Sequence, residues 1–328
     1  MRQVLKWAGL VLGGIAVLAV AAYAYYWYSP PPQVPTLSSA IQRATLHVGD
    51  RDRTYLAYAP AQLSKGAPLV IVLHGSFMDG EMMRKWTGYE FDQWADRKGF
   101  VVVYPDGYKH NWNDCHKDAT FPAKLENIDD MGFIHALIAR MAQEHGIDAK
   151  HVFVLGYSNG GQMAFRLAIE TPDEVAAVAA LGANLPTPES SSCAQQGRTA
   201  RVMLANGTLD PINPYEGGKV TIFGFGYRGT ALSSRASADQ LAQRNGITTA
   251  PAATQLPHLH EKDPTSVDSL TWSSGDHTPI AVLYTVHGGG HVVPQPAFRY
   301  PRMLGRTAGD LDAPSSALQF FGLLQPPG

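Results

Sequence analysis

The sequence predicts one α/β domain with a mostly parallel central sheet, helices on both faces, and a hydrophobic helix in front of it. Three observations predict this. Short, continuous apolar runs recur along the chain, as strands buried on both faces require. Segments with apolar residues at helical spacing separate those runs, which implies crossover connections and parallel pairing. One apolar run ends in Gly156-Tyr157-Ser158-Asn159-Gly160 and passes directly into a helical pattern.

In chain order, the N-terminus comes first. After Arg2 and Lys6 no charge occurs until Arg43, and Trp7 to Tyr28 is apolar or aromatic. That is roughly the twenty residues a bilayer-crossing helix needs, and longer than the about 7–15 residues of a signal-peptide core. Tyr23, Tyr25, Tyr26, Trp27 and Tyr28 suit an interfacial aromatic belt, with Arg2 and Lys6 on the inner side. Ala22-Tyr23-Ala24 also reads as a cleavage site. Residues 1–28 are therefore expected to be a membrane anchor if retained, or a signal segment if cleaved. Both readings put the rest of the chain outside the cytoplasm. Residues 29–42, with "SPPPQVP", form a stiff Pro-rich linker, and residues 43–328 form the α/β domain.

Within that domain, Arg53–Pro60 reads as a strand by alternation. Pro68–Gly75 and Phe100–Gly107 are continuous apolar strands. Ile128–Gly146 has helical spacing, acidic residues at its start and Gly146 at its end, so it is a helix with both of its boundaries marked. His151–Gly156 is a strand and Asn159–Glu170 a helix. Strands follow at Val175–Ala183, Arg201–Gly207 and Ile280–Gly290. A looser insertion is expected from Val220 to about Asp276, with a helix over Ser237–Gly246, and the chain closes on the helical "SSALQFFGLL".

The formal net charge is −2 with no basic block, so the phosphate-neutralising footprint of a nucleic-acid binder is missing. The chain has only two cysteines, Cys115 and Cys193. Outside the cytoplasm they are expected to pair, closing a long loop. Two cysteines without an H-E-x-x-H pattern do not make a zinc site.

With 32 glycines in the chain, a G-x-S-x-G match alone says little. Its context says more: strand, tight turn, then helix is the layout of a nucleophile elbow, and Ser158 is raised at the sheet edge beside a helix N-terminus. Serine needs a base, and in this layout the chain order is nucleophile, acid, histidine. Among the histidines downstream, His258 and His260 sit in a Pro-rich stretch and His277 in a turn. His287 and His291 frame "HGGGH" just after the last apolar strand. His291 lies beyond three glycines, on a loop free to turn back, and is the preferred base; His287 is the alternative. Asp210 leaves a strand in "NGTLDPINPYEGG", where a carboxylate can orient the imidazole. The N–H groups of Asn159 and of Ser76, in "VLHGSFMDG", are the candidate oxyanion donors.

These segments resemble the polyhydroxybutyrate depolymerase and feruloyl esterase-like group of α/β hydrolases, of the carbohydrate esterase family 1 type. The resemblance is carried by "LVIVLHG", "NWND", "IDDMGFI", "GYSNGGQMAF", "NGTLDPINPYEGG" and "GGGHVVPQP", in family order. It implies an α/β-hydrolase fold and hydrolysis of carboxylic esters by a serine nucleophile, without metal or organic cofactor. The family's motif residues fall on Ser158, Asp210 and His291. By analogy Trp112 lines the acyl pocket, while Asp129 and Asp130 cap their helix. The chain departs from the family where Val292-Val293-Pro294 stands in place of a Trp-Pro pair, and where Cys115 replaces a glycine after "WND".

The expectation is an extracytoplasmic serine esterase acting on small or oligomeric esters, such as polyhydroxyalkanoate oligomers or feruloyl and related acyl esters. An acyltransferase using the same three residues and a silent membrane-tethered binding module are the alternatives.

Overall fold

The computed structural model describes residues 2–259 and 261–325; His260 lies outside them. Helix α1 (Arg2–Tyr26) leads into a hairpin, β1 (Gln42–Val48) and β2 (Arg51–Tyr58). The alternating core follows as β3 (Leu69–Leu73), α2 (Gly80–Trp86), α3 (Glu90–Lys98), β4 (Val101–Pro105), α4 (Pro122–Leu125), α5 (Asp130–His145), β5 (Val152–Tyr157), α6 (Asn159–Glu170), β6 (Ala177–Leu181) and β7 (Arg201–Gly207). The last third holds the short β8 (Gly218–Lys219) and β9 (Thr230–Ala231), then α7 (Ser234–Arg244), β10 (Ala252–Gln255), β11 (Ser266–Ser273), β12 (Pro279–His287) and α8 (Ala313–Phe320).

Ten strands form one sheet in the order β1-β2-β4-β3-β5-β6-β7-β12-β11-β10. From β4 to β12 every pairing is parallel. The flanking pairs are antiparallel. Strands β3, β4, β5 and β6 are buried at every position, which is why they read as unbroken apolar runs. On one face α5, α6 and α7 contribute Phe133, Phe165 and Leu241 to the core. On the other, α2, α3 and α8 contribute Met83, Phe91 and Leu318. The expected α/β-hydrolase architecture is present.

Besides β1 and the short α4, the sequence reading missed two regions. Residues 80–98 form α2 and α3, marked locally by the Asp79 side chain accepting Met82 N–H and by Gly99 ending α3 at φ 71°. The expected looser insertion is ordered over much of its length: β11 extends the sheet antiparallel to β12, and β10 adds to it antiparallel to β11. Strand β11 alternates between buried and half-buried positions, as a strand with one wet face does.

The leading segment also departs from simple expectation. The far end of the linker is docked, since Leu37 and Ile41 pack on the core and Ser38 donates to Asp96 through both N–H and Oγ. In α1 the side chains are described without a break only over 10–26. Among the described residues no helix is long and apolar enough to cross a membrane; the anchor or signal expected over 1–28 lies partly outside them.

Candidate active site

The site is built at the C-terminal edge of the parallel strands. Strand β5 ends at Tyr157 and α6 begins at Asn159, leaving one residue to reverse the chain. That residue, Ser158, has φ 55° and ψ −119°, a conformation rare and strained for a residue with a Cβ. Strand and helix cross closely enough that a Cβ on Gly156 would lie 2.0 Å from the Gly160 carbonyl oxygen. One on Gly160 would lie 2.4 Å from that of Leu73. Both glycines of the motif are therefore sterically required by the elbow.

Asp210 and His291 meet Ser158 from the loops after β7 and β12. His291 Nε2 lies 2.9 Å from Ser158 Oγ, and its Nδ1 lies 2.7 Å from Asp210 Oδ2. Asp210 is itself fixed: Oδ1 accepts the N–H groups of Ile212 and Asn213, each at 2.8 Å. His291 is held through its backbone, donating N–H to the Leu304 carbonyl at 2.7 Å and accepting Tyr157 Oη–H at 2.8 Å. Its side chain is 4% exposed. His287, the alternative base, is half exposed and pairs with Asp268 at 3.1 Å, away from Ser158. His258 pairs with Asp310.

Ser76 and Asn159 line the same cavity as Ser158 and His291. Among the described residues, neither backbone N–H donates a hydrogen bond within the protein. The loop bearing Ser76 rests on His74. Burial, the main cause, pushes the His74 pKa down to about 4, so the ring is neutral at pH 7. It donates from Nδ1 to the Gly75 carbonyl at 2.7 Å and accepts Gly107 N–H on Nε2 at 2.8 Å.

The "NWND" stretch supports the elbow from below, and here one expectation is corrected. Trp112 does not line the pocket; it is fully buried, with Nε1 donating to the His74 carbonyl at 2.9 Å. A ring that fills the core under the loop bearing Ser76 cannot also face a substrate. Asp130 is corrected too. Asp129 caps α5, but Asp130 is a buried partner of Arg53 at 2.6 Å and accepts Asn113 N–H at 2.7 Å. Cys115 and Cys193 are disulfide-bonded across a separation of 78 residues, tying this stretch to the segment after β6.

The cavity has a volume of about 440 Å³. Its walls are mainly apolar, with Phe77, Met78, Trp86, Phe121, Ile222 and Leu304. Asp114, His116, Gln162, Asn213 and Arg228 add polar groups that sequence reasoning missed. Asp114 closes "NWND" and His116 lies two residues on, a signal that was available; nothing local marks Arg228. Among the described residues no group of three or more His, Cys, Asp or Glu side chains could hold a metal ion.

Comparisons with known proteins agree with this fold. Residues 68–224 match the alpha/beta hydrolase fold family. A Nocardia uniformis subsp. tsuyamanensis protein named "Putative esterase NocK" is 27% identical over 98% of this chain and 99% of its own. Feruloyl esterase B of Thermothelomyces thermophilus is 30% identical over 42% of this chain and half of its own length. The solved acetyl xylan esterase from Aspergillus awamori superposes with a TM-score of 0.55 at 18% identity, covering 87% of this chain and all of that one; at that identity the likeness speaks for fold alone. Its sheet and its elbow give the chain the alpha/beta hydrolase fold, and the relatives it is similar to are named as esterases, which supports a carboxylic ester hydrolase.

Proposed function

We propose that the chain is an extracytoplasmic serine esterase in which Ser158, His291 and Asp210 act as nucleophile, base and orienting acid. The observation that carries this reading is the unbroken hydrogen-bonded relay from Ser158 Oγ through His291 to the buried Asp210 carboxylate, opening on an apolar cavity. As the Ser158 Oγ–carbon bond forms, the hydroxyl proton passes to His291 Nε2, and Asp210 steadies the imidazolium through Nδ1–H. The carbonyl oxygen of the ester becomes negative and is held by the N–H groups of Ser76 and Asn159. The carbon–oxygen bond to the alcohol breaks, and the alcohol leaves with the His291 proton. Water, deprotonated by His291, then releases the acid and restores Ser158.

The apolar walls favour feruloyl, hydroxyalkanoate or related acyl groups over a wholly polar acyl group. The disulfide supports a location outside the cytoplasm, where such bonds persist. The test is covalent labelling with a fluorophosphonate probe, together with hydrolysis of p-nitrophenyl esters, methyl ferulate and a soluble hydroxybutyrate oligomer. Labelling that is lost in Ser158→Ala is expected; a folded wild type that never labels would sink the reading.

A further inference from the structure

One cation in the cavity, Arg228, forms no close ion pair among the described residues. Arg228 reaches the cavity from the arm between β8 and β9, whose Ile222 and Phe223 also line it. Its guanidinium lies 5.1 Å from the Phe121 ring centroid and 5.7 Å from that of Phe77. Among the described residues its only side-chain hydrogen bond goes to Ser76 Oγ, and no carboxylate comes within 4.0 Å. Asp114 is the acid in the cavity wall; its charge acts on Arg228 without a close ion pair, and each of its oxygens already accepts a hydrogen bond. Oδ1 accepts His116 N–H at 2.8 Å and Oδ2 accepts Asn159 Nδ2–H at 2.6 Å. A half-buried guanidinium on apolar walls loses hydration that only a partner anion restores.

A second observation points the same way. His116 is 2% exposed and Asn213 is 3% exposed, yet His116 Nε2 and both amide atoms of Asn213 have no hydrogen-bond partner among the described residues. Both side chains line the cavity. His116 sits beside the arm: a Cβ on Gly229, the neighbour of Arg228, would lie 3.0 Å from His116 Cδ2. Burial lowers the His116 pKa, so the ring is neutral and its nitrogens are a donor and an acceptor. Unpaired buried polar groups are costly in an empty site and satisfied in a filled one.

We propose that Arg228, with His116 beside it, binds a carboxylate carried by the ester substrate. The preferred substrates are then esters with a free acid group, such as half-esters of dicarboxylic acids. This inference rests on the esterase reading of the same cavity and narrows it. Guanidinium suits the role because its planar fork pairs with a carboxylate through two parallel hydrogen bonds.

The experiment compares esters that differ only in the anion. The acyl-side pair is mono-4-nitrophenyl adipate and 4-nitrophenyl hexanoate; the alcohol-side pair is 4-butyryloxybenzoate and phenyl butyrate. Taking wild type over variant for each ester cancels intrinsic reactivity. Arg228→Gln is expected to lower kcat/KM by about tenfold to a hundredfold more on the anionic member of one pair than on its neutral member. Which pair responds tells whether the acid sits on the acyl or the alcohol side. Arg228→Lys should restore part of the difference, and Ser76→Ala should lower both members alike. Equal losses on both members of both pairs would overturn the proposal and leave Arg228 as a brace for Ser76. Calorimetry of monoethyl adipate with Ser158→Ala, with and without Arg228→Gln, separates this inference from the esterase reading. Arg228-dependent binding without wild-type turnover supports the carboxylate corner while the esterase reading falls. Turnover with Arg228-independent binding does the reverse.

Discussion

Asn159 Nδ2 donates to Asp114 Oδ2 at 2.6 Å, while Asn159 Oδ1 accepts Trp112 N–H at 2.7 Å. The residue following Ser158 is thus clamped by its side chain to "NWND", and the clamp fixes where its backbone N–H points. An oxyanion donor works only if its direction is set before charge develops. Asn159→Ala keeps the N–H but frees its direction. It should lower kcat by about ten- to a hundredfold with little change in KM. Steady-state kinetics on one p-nitrophenyl ester decides; a change in KM alone would assign the clamp to substrate binding.

The two histidines of "HGGGH" make opposite predictions. His291 is buried against Asp210, whereas His287 is half exposed beside Asp268. Asp210→Asn should lower kcat by about 10⁴-fold, because the amide favours the wrong imidazole tautomer. His291→Ala should be comparably inactive. His287→Ala should retain wild-type kcat, and a large loss there would reassign the base.

Disulfide removal should act on both stability and catalysis. The bond closes a loop of 78 residues, for which chain entropy gives about 4.5 kcal/mol. Cys115 also adjoins Asp114, which holds Asn159. The double variant Cys115→Ala/Cys193→Ala should melt several degrees lower, and at temperatures where it remains folded its kcat should fall too. A lower melting temperature with unchanged kcat would show that the clamp holds without the tether.

The sequence exposed the parts of this fold that are periodic and the parts of the site that follow chain order. Strands β3 to β7 were visible because burial on both faces forces apolar residues at successive positions. Ser158, Asp210 and His291 were visible because each ends or follows such a strand. Arg228 was not: it lies on an arm between two-residue strands, too short to show a period. Trp112 was misplaced because an aromatic beside a site motif reads the same whether it faces a cavity or underlies a loop. Strands β10 and β11 were missed because β10 is exposed at every position and β11 has one wet face, so both resemble polar insertion chain.

Glu90 gives a pH prediction with a definite sign. Burial first, and then Asp312, raise its pKa from 4.5 to about 9, and Oε1 has no hydrogen-bond partner among the described residues. Between about pH 4.5 and 9 the folded state holds a proton that the unfolded state releases. This contribution to stability is therefore complete below pH 4.5 and declines as pH rises toward 9. Glu90→Gln removes the titration. It should raise the melting temperature over wild type by a few degrees at pH 8, and by almost nothing at pH 4.5. An equal difference at both pH values would mean that packing, rather than protonation, sets the effect.

The leading segment contributes a wall to the cavity. Trp27 lines it together with Pro301, Met303 and Leu304. The Arg302 guanidinium lies 4.4 Å from the Tyr25 ring centroid, so the end of α1 is seated on the turn that follows His291. That turn also supplies the Leu304 carbonyl that holds His291 N–H. Cleavage after Ala24 would leave Tyr25 and Trp27 on the chain, so both fates of the N-terminus are compatible with an intact wall. Trp27→Ala should raise KM for 4-nitrophenyl hexanoate by about three- to tenfold and leave 4-nitrophenyl acetate nearly unchanged, since only the longer chain reaches an apolar wall. A chain starting at residue 25 should behave like the full chain, and one starting at residue 29 like Trp27→Ala. If the chain starting at residue 29 keeps the wild-type KM for both esters, the wall does not touch the acyl group.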